Sequence, residues 1–267
     1  MKFLPAIKMI KFGLGCIFTL VSVFGCASSP PKDMPAWKIT IATPSFYNVR
    51  VTGAYGVNEA EDWTVLVHNF TQLSWRNGIE KTKKWLSNNS YDGFGIPLNP
   101  LVNITSRQIG SGTKVLPSSI YVYWVSYVNQ PKFYVTRYDV PEKVRKYIQT
   151  KDFYTSRDGK KQSCYKTDFV FGLLPNGHAK VWLAGCMTYT YVTELPPALE
   201  PERDYNGFTL DHYRNPKSGT KRTVIDRAKK AGVTIDPIPW DKVNQIYWNN
   251  KTDKVDSIED YLPKAEQ

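Results

Sequence analysis

Residues 164–191 read CYKTDFVFGLLPNGHAKVWLAGCMTYTY, and this stretch carries the clearest β-hairpin pattern in the chain. Two runs of β-favouring residues, Asp168–Leu174 and His178–Leu183, flank the sequence Leu174-Pro175-Asn176-Gly177. Proline at the second turn position presets φ, and the Asn-Gly pair tolerates positive φ, so the chain can reverse tightly here. The stretch therefore predicts a β-hairpin within a β core.

Cys164 and Cys186 fall nearly opposite each other when residues are counted outward from that turn. Two cysteines in register across one hairpin are placed to form a disulfide in an oxidising compartment. The alternative is a pair of buried free thiols. We predict the disulfide, because the N-terminal segment indicates export from the cytosol.

The first 25 residues have the pattern of a signal peptide rather than of a folded segment. Three lysines form a basic beginning, and the apolar run Phe12–Phe24 follows them. That run is too short for a helix that spans a membrane. Residues 1–25 are therefore interpreted as a targeting segment that is removed from the mature protein.

The junction Gly25-Cys26 resembles the lipobox of bacterial lipoproteins, in which the cysteine is lipidated and becomes the new N-terminus. A plain secretory signal cleaved near Ala27 is the alternative. Because Ala27 rather than aspartate follows the cysteine, the resemblance implies sorting to the outer membrane of a Gram-negative bacterium, on its periplasmic face. Several acyl chains on one cysteine would anchor the protein stably in that membrane.

After Cys26 the sequence divides into three parts. Residues 26–36 are rich in serine and proline and predict a solvated tether. Residues 37–193 are interpreted as a β-rich domain, and residues 194–267 as a C-terminal extension of helices and loops packed on it. The expected fold class is mainly β, with antiparallel sheets in a sandwich-like arrangement and a few peripheral helices.

The strongest strand pattern lies between Leu116 and Val140. Ile120, Val122 and Trp124 lie on one face of this strand. The other face carries tyrosine and valine, at Tyr121, Tyr123, Val125 and Tyr127. Because both faces are apolar or aromatic, we expect a central strand that is covered on two sides.

Several further elements are indicated by local patterns. Trp63–Val67 and Gln72–Trp75 predict a pair of strands, while Ile79–Leu86 and Lys221–Ala231 have the spacing of helices. The second helix is expected to turn three apolar side chains inward, at Val224, Ile225 and Ala228.

The segment Ser87–Lys114 is long for a connection and is rich in Asn, Gly, Ser and Pro. Loops of this length are usually binding loops or disordered segments. Trp85, Tyr91 and Phe94 lie in or beside it and are our candidates for contacts with a partner protein. The alternative is that these rings pack the loop against the domain.

The formal net charge of the chain is +11. A basic exported protein favours anionic lipid headgroups or an acidic partner, although solubility explains such a charge equally well. We expect no nucleic-acid partner, because the chain is interpreted as exported.

Four parts of the sequence together resemble the DUF2931 family of bacterial lipoproteins. They are the Cys26 junction, Trp37-Lys38-Ile39 leading to Pro44-Ser45-Phe46-Tyr47, Leu116-Pro117 to Tyr121-Val122-Tyr123-Trp124, and Gly172-Leu173-Leu174-Pro175-Asn176-Gly177 with Lys180-Val181-Trp182-Leu183. The resemblance implies an outer-membrane lipoprotein. Some members lie beside phospholipase effectors of type VI secretion and are similar to cognate immunity proteins. The family brings no catalytic residues, so none are assigned.

No pattern of catalytic or metal-binding residues is found in the sequence. The three histidines, His68, His178 and His212, have no zinc-site spacing, and neither a nucleophile elbow nor a phosphate loop is present. We therefore expect no metal, no cofactor and no enzymatic activity. Asp211-His212-Tyr213 is the one constellation in which an aspartate could orient an imidazole, and a surface segment is the alternative. A hydrolase with a site around His212 is kept as a third option.

Two functions of different class follow from these observations. The first is an immunity lipoprotein that binds a secreted lipase or phospholipase toxin and neutralises it. The second is a non-catalytic lipoprotein of envelope maintenance or assembly that binds lipid, glycan or an outer-membrane protein. In both, the lipid on Cys26 would hold the protein at the membrane.

Overall fold

The computed structural model describes residues 29–67, 71–72, 78–98, 114–127, 130–156, 158–214 and 219–262. The described strands, in chain order, are β1 (Lys38–Ala42), β2 (Val49–Asn58), β3 (Trp63–Leu66), β4 (Thr71–Gln72), β5 (Ile96–Pro97), β6 (Ser119–Ser126), β7 (Lys132–Asp139), β8 (Asp152–Thr155), β9 (Lys161–Cys164), β10 (Asp168–Leu173), β11 (Ala179–Gly185), β12 (Thr188–Leu195), β13 (Ile246–Tyr247) and β14 (Lys254–Ser257). The helices are α1 (Ile79–Leu86), α2 (Glu142–Gln149), α3 (Leu210–Arg214), α4 (Gly219–Ala231) and α5 (Trp240–Val243), and Ile258–Tyr261 forms a 3-10 turn. The prediction of a mainly β fold with a few helices is confirmed.

The predicted hairpin lies inside a six-stranded sheet. Its strands β10 and β11 pair antiparallel, and Leu173 faces Ala179 next to the turn. The turn is closed by the Gly177 amide, which donates to the Leu174 carbonyl at 3.1 Å. The strand order is β14-β12-β11-β10-β1-β4. Because β1 runs parallel to β10 and β12 parallel to β14, this sheet is mixed rather than antiparallel throughout.

The second sheet has four strands in the order β3-β2-β6-β7, and all its pairs are antiparallel. The predicted central strand is β6, which pairs with β2 on one side and β7 on the other. The predicted pairing of Trp63–Val67 with Gln72–Trp75 is not found among the described residues, and residues 73–75 lie outside them. Strand β3 pairs with β2, while the described part of the second segment, β4, joins β1 in the other sheet.

The main core lies between these two sheets. Ile120, Val122 and Trp124 all point into it, as their alternation along β6 predicts. Trp37 lies across Gly56, where an added Cβ would approach the indole ring to 2.6 Å. The backbone of β2 at Gly56 is therefore in direct contact with Trp37, which immediately precedes β1.

A second apolar layer covers the other face of the six-stranded sheet. Buried side chains of that sheet, including Trp182, meet residues from the loop after α1 and from α4 and α5. The C-terminal segment does more than pack on this layer. It supplies β14 to the six-stranded sheet and β13 to a short parallel pair with β5.

Two expectations about which side chains are buried are wrong. Ile225, expected to face inward on α4, is half exposed, whereas Val224 and Ala228 are buried. Met34, expected in a solvated tether, is fully buried in the main core. The tether prediction is therefore wrong at Met34, because an apolar side chain within a Ser/Pro-rich stretch can still enter a core.

Candidate functional site: a tyrosine face on the four-stranded sheet

A row of large side chains crosses the outer face of the four-stranded sheet. Tyr55 on β2 is paired with Leu66 on β3 and with Tyr121 on β6, and Tyr121 is paired with Arg137 on β7. Directly paired residues in an antiparallel sheet place their side chains on the same face. We call the surface formed by Leu66, Tyr55, Tyr121, Tyr123, Arg137 and Tyr205 the tyrosine face.

The rings of the tyrosine face are ordered by one another. Tyr55 stacks on Tyr121 with 4.8 Å between centroids, and on Tyr123 with 6.0 Å. The ring of Tyr205 meets Tyr123 edge-on at 5.3 Å. The hydroxyl groups of Tyr55 and Tyr123 lie 3.4 Å apart in a hydrogen bond. Burial raises the pKa of Tyr55, so its hydroxyl stays protonated and can donate a hydrogen bond.

The other half of this sheet face is covered by the segment that follows β12. The Ala198 amide donates to the Val135 carbonyl at 2.8 Å, so the segment is fixed along the edge strand β7. Further on, Tyr213 packs edge-on against Phe133 at 5.4 Å. The covered half therefore ends where Tyr205 begins, and the tyrosine face is the half that remains accessible.

Tyr205 is held in place by its own loop and by a glycine beneath it. The Asp204 carboxylate accepts hydrogen bonds from the amides of Asn206 and Phe208, both at 2.8 Å, and from the Tyr213 hydroxyl. A Cβ on Gly53 would lie 2.4 Å from the Tyr205 ring, so only glycine fits there. The ring nevertheless keeps 37% of its surface exposed.

Arg137 gives the tyrosine face a charged edge. Its guanidinium lies 5.6 Å from the centroid of the Tyr121 ring, in a cation–π arrangement. Its Nε donates to the Asp139 carboxylate at 2.8 Å, and that carboxylate also accepts from the Ser119 hydroxyl at 2.7 Å. These contacts hold the pKa of Asp139 below its usual range although burial opposes them. The face therefore combines exposed aromatic area, hydroxyl groups and one oriented cation.

The aromatic residues predicted to meet a partner lie elsewhere. Tyr91 is fully buried, and its hydroxyl is hydrogen-bonded to the Ser45 hydroxyl at 2.7 Å. Phe94 keeps only 5% of its surface exposed and packs on Phe46 at 4.8 Å. Phe94 lies in the second apolar layer and Tyr91 packs edge-on against Tyr247 at 5.2 Å, so both rings hold the loop against the domain. The prediction of partner contacts is wrong for them. Trp85 is half-buried on α1, with the Lys81 ammonium 5.4 Å from its ring.

The predicted disulfide is confirmed. Cys164 and Cys186 are bonded, with their Cα atoms 5.5 Å apart. Cys186 and Met187 both have positive φ and form the tight turn between β11 and β12. The bond therefore joins that turn to the end of β9. The predicted signal peptide and the lipidation residue, Cys26, lie outside the described residues.

The described histidines, His178 and His212, do not lie in an assembled catalytic or metal site. Asp211 forms an ion pair with Arg214 at 2.8 Å, while the His212 ring stacks on Phe208 at 4.5 Å. His178 contacts the Glu194 carboxylate at 3.1 Å in a half-exposed pair. Within the described residues, no three His, Cys, Asp or Glu side chains are grouped so that they could hold a metal ion. The same residues contain no helix that is long and apolar enough to cross a membrane.

A family model for a protein of unknown function, DUF2931, matches residues 27–241. The chain belongs to the DUF2931 family. The match extends beyond the part that carries the sequence resemblance, and it includes every residue of the tyrosine face. A search of curated proteins and a search of solved structures found no match to this DUF2931 chain.

The tyrosine face was missed by sequence reasoning, although part of its pattern was visible. The alternation along β6 placed Tyr121 and Tyr123 on one face, and that face was expected to be covered. Tyrosine is compatible with both a covered and an accessible face, because its ring is apolar while its hydroxyl prefers water. Tyr205 joins the face only through the long connection after β12, which local patterns do not reveal.

Proposed function

We propose that this DUF2931 protein is an immunity lipoprotein of a type VI secretion system. In this proposal it is anchored through Cys26 on the periplasmic face of the outer membrane, where it binds a secreted lipase or phospholipase toxin and neutralises it. The alternative is a non-catalytic envelope lipoprotein that uses the same surface to bind lipid, glycan or an outer-membrane protein.

The tyrosine face is the observation that carries this proposal. Tyr and Arg are enriched among the residues that dominate binding energy at protein interfaces. The rings of Tyr55, Tyr121 and Tyr123 are already ordered by stacking, so binding would cost little additional side-chain entropy. A surface prepared in this way favours a large and specific partner.

Inhibition by binding requires no catalytic group. An immunity protein acts stoichiometrically, by covering the active site of the toxin or the surface with which it approaches the membrane. Anchoring at the membrane that the toxin attacks would raise the effective concentration of the inhibitor there. The proposed anchor and the tyrosine face would therefore act together.

The proposal is tested with the purified exported chain and the effector encoded beside its gene. Tyr121→Ala is expected to weaken binding by about 30-fold, which corresponds to about 2 kcal/mol, because the change removes the ring that lies between Tyr55 and Arg137. Trp240→Ala removes an exposed ring on α5, outside the tyrosine face, and is expected to change the affinity by less than about twofold. Isothermal titration calorimetry measures both variants.

A second variant separates binding from folding. Arg137 is half exposed, so Arg137→Glu should leave the domain folded while it reverses the charge at the edge of the face. Unfolding curves for all variants show whether the fold is kept. The immunity proposal is wrong if the parent chain neither binds nor inhibits the effector and if deleting the gene leaves cells resistant to it. Retained affinity in folded Tyr121→Ala and Arg137→Glu would instead exclude the tyrosine face as the contact.

A further inference from the structure

Strands β8 and β9 form a separate two-stranded hairpin with one outward face. Phe153 and Ser163 are paired across it, as are Thr155 and Lys161, so these four side chains share a face. Phe153 keeps 51% of its surface exposed, and the Lys161 ammonium lies 4.6 Å from its ring centroid. An exposed aromatic ring beside a lysine is the combination that settles at a membrane–water interface.

The opposite face of the hairpin is attached to the rest of the protein at its root. The Tyr154 hydroxyl donates to the Gln162 amide oxygen at 2.8 Å, and Cys164 is held by the disulfide to the turn after β11. At the base, the Lys166 ammonium contacts the Asp152 carboxylate at 2.6 Å and is almost fully buried. The hairpin is therefore fixed at its root, and its outward face has a defined direction.

The same root holds the N-terminal segment of the described chain. Asp33 forms an ion pair with Lys151 and accepts a hydrogen bond from the Tyr165 hydroxyl at 2.7 Å. The Met34 amide donates to the Pro31 carbonyl at 3.0 Å, and the Met34 side chain is fully buried. The chain is thus docked from Pro31 onwards. An extended segment from Cys26 to Pro31 spans at most about 20 Å.

The charge of this region matches an anionic surface. Residues 151–166 contain five basic and two acidic residues. Two of the five are held by carboxylates, Lys151 by Asp33 and Lys166 by Asp152, so the charge that can face a surface lies towards the tip of the hairpin. The two carboxylates are already engaged, Asp152 by Lys166 and Asp158 by Lys160 at 3.2 Å. The Lys160 side chain still exposes 76% of its surface. Each lysine near an anionic bilayer adds attraction that salt screens.

We propose that the β8–β9 hairpin is a second membrane contact, in which Phe153 enters the interface of the bilayer and the neighbouring lysines bind anionic phospholipid headgroups. The proposal goes beyond binding of a toxin. The orientation of the whole protein at the bilayer rests on the proposed Cys26 anchor. The segment from Cys26 to Pro31 spans at most about 20 Å, so the anchor would keep the root of the hairpin close to the bilayer. The affinity of the hairpin for lipid does not depend on that anchor.

The test uses the exported chain with Cys26→Ser, so that no acyl chain contributes. Partitioning is measured by co-sedimentation with vesicles of phosphatidylethanolamine and phosphatidylglycerol, and with vesicles of phosphatidylcholine alone. We expect partitioning onto the anionic vesicles, weakened by salt, and little onto phosphatidylcholine. Lys160→Glu/Lys161→Glu should lower the partition coefficient about tenfold or more, and Phe153→Ala about fivefold.

Two control variants make the same chemical changes elsewhere. Lys229→Glu/Lys230→Glu alters the net charge equally on exposed α4, and Phe208→Ala removes a comparably exposed ring. Both are expected to change partitioning by less than about twofold, because attraction to the surface falls off within a Debye length. The proposal is overturned if the parent does not partition onto anionic vesicles, or if the control variants lose as much as the hairpin variants. No effector is present, so the outcome is independent of the immunity proposal.

Discussion

Asp168 begins β10 with a carboxyl group that is buried beside the second apolar layer. Desolvation raises its pKa to about 6, although Lys38, its partner on β1, favours the charged form. Asp253 has its pKa raised to about 6 by burial as well, and both carboxyl groups raise the pKa of buried Tyr189. The folded protein therefore binds protons in this region that the unfolded chain has already released.

Replacing Asp168 by asparagine should stabilise the protein at neutral pH. Because the folded pKa is above the unfolded value of 3.8, the carboxyl group favours folding most at low pH and loses that contribution as the pH rises through about 6. Asp168→Asn is therefore expected to gain at most about 3 kcal/mol above about pH 7, and less near about pH 5. Urea unfolding at both pH values measures this change.

A control for this prediction is Asp241→Asn at an exposed position of α5, which should change the free energy of unfolding little at either pH. A gain from Asp168→Asn that is equal at both pH values would contradict the titration argument. So would a loss of stability near neutral pH.

Single positions were predictable where alternation along a strand decides them. Ile120, Val122 and Trp124 could be assigned to the core because period-two spacing on β6 places them on one face. Tyr91 and Phe94 could not be placed in this way. A ring in an irregular loop has the same sequence pattern whether it is exposed or pins the loop, and only its distant neighbours decide.

The disulfide joins elements that the hairpin turn alone does not hold. It connects the end of β9 to the β11–β12 turn across a sequence separation of 22 residues. Cys164→Ser/Cys186→Ser is expected to lower the free energy of unfolding by about 3 kcal/mol, chiefly because the unfolded chain regains freedom. Denaturant unfolding of the purified oxidised protein, with and without reductant, measures the loss.

The control is the double variant itself, whose unfolding curve should be the same with and without reductant. Free thiols at both positions in protein taken from the periplasm would contradict the prediction, as would a reductant-insensitive parent. Mass spectrometry of a non-reduced digest distinguishes these cases.

The β10–β11 hairpin could be predicted because its turn and its alternation lie within one short stretch, with a cysteine on either side. The pairing of β1 with β10, and of β14 with β12, could not be predicted in this way. Parallel neighbours need no local turn, so nothing in the sequence beside β1 identifies its partner. For the same reason the separation of β3 and β4 into different sheets was not foreseen.

For the whole molecule, the firmest test of location is the proposed lipidation. Cys26→Ser is expected to release the protein from membranes or to block its processing, because no acyl acceptor remains at the Gly25-Cys26 junction. Metabolic labelling with a fatty acid should mark the parent and leave the variant unlabelled. Cys16→Ser, the other leader cysteine, is the matched control and should keep the label. Label that persists on Cys26→Ser would contradict the assignment.

The mixed six-stranded sheet cannot form early during synthesis of the chain. Strand β1 is made early, yet the partner that pairs along its full length begins only at Asp168, and β14 completes the sheet near the end of the chain. Pairings between such distant residues form slowly, because a long loop must close before any contact stabilises it. During synthesis the first strand therefore has no full-length partner in this sheet. The six-stranded sheet therefore stays incomplete until nearly the whole chain has left the ribosome, and an incompletely folded chain is the form in which a polypeptide can be threaded across a membrane.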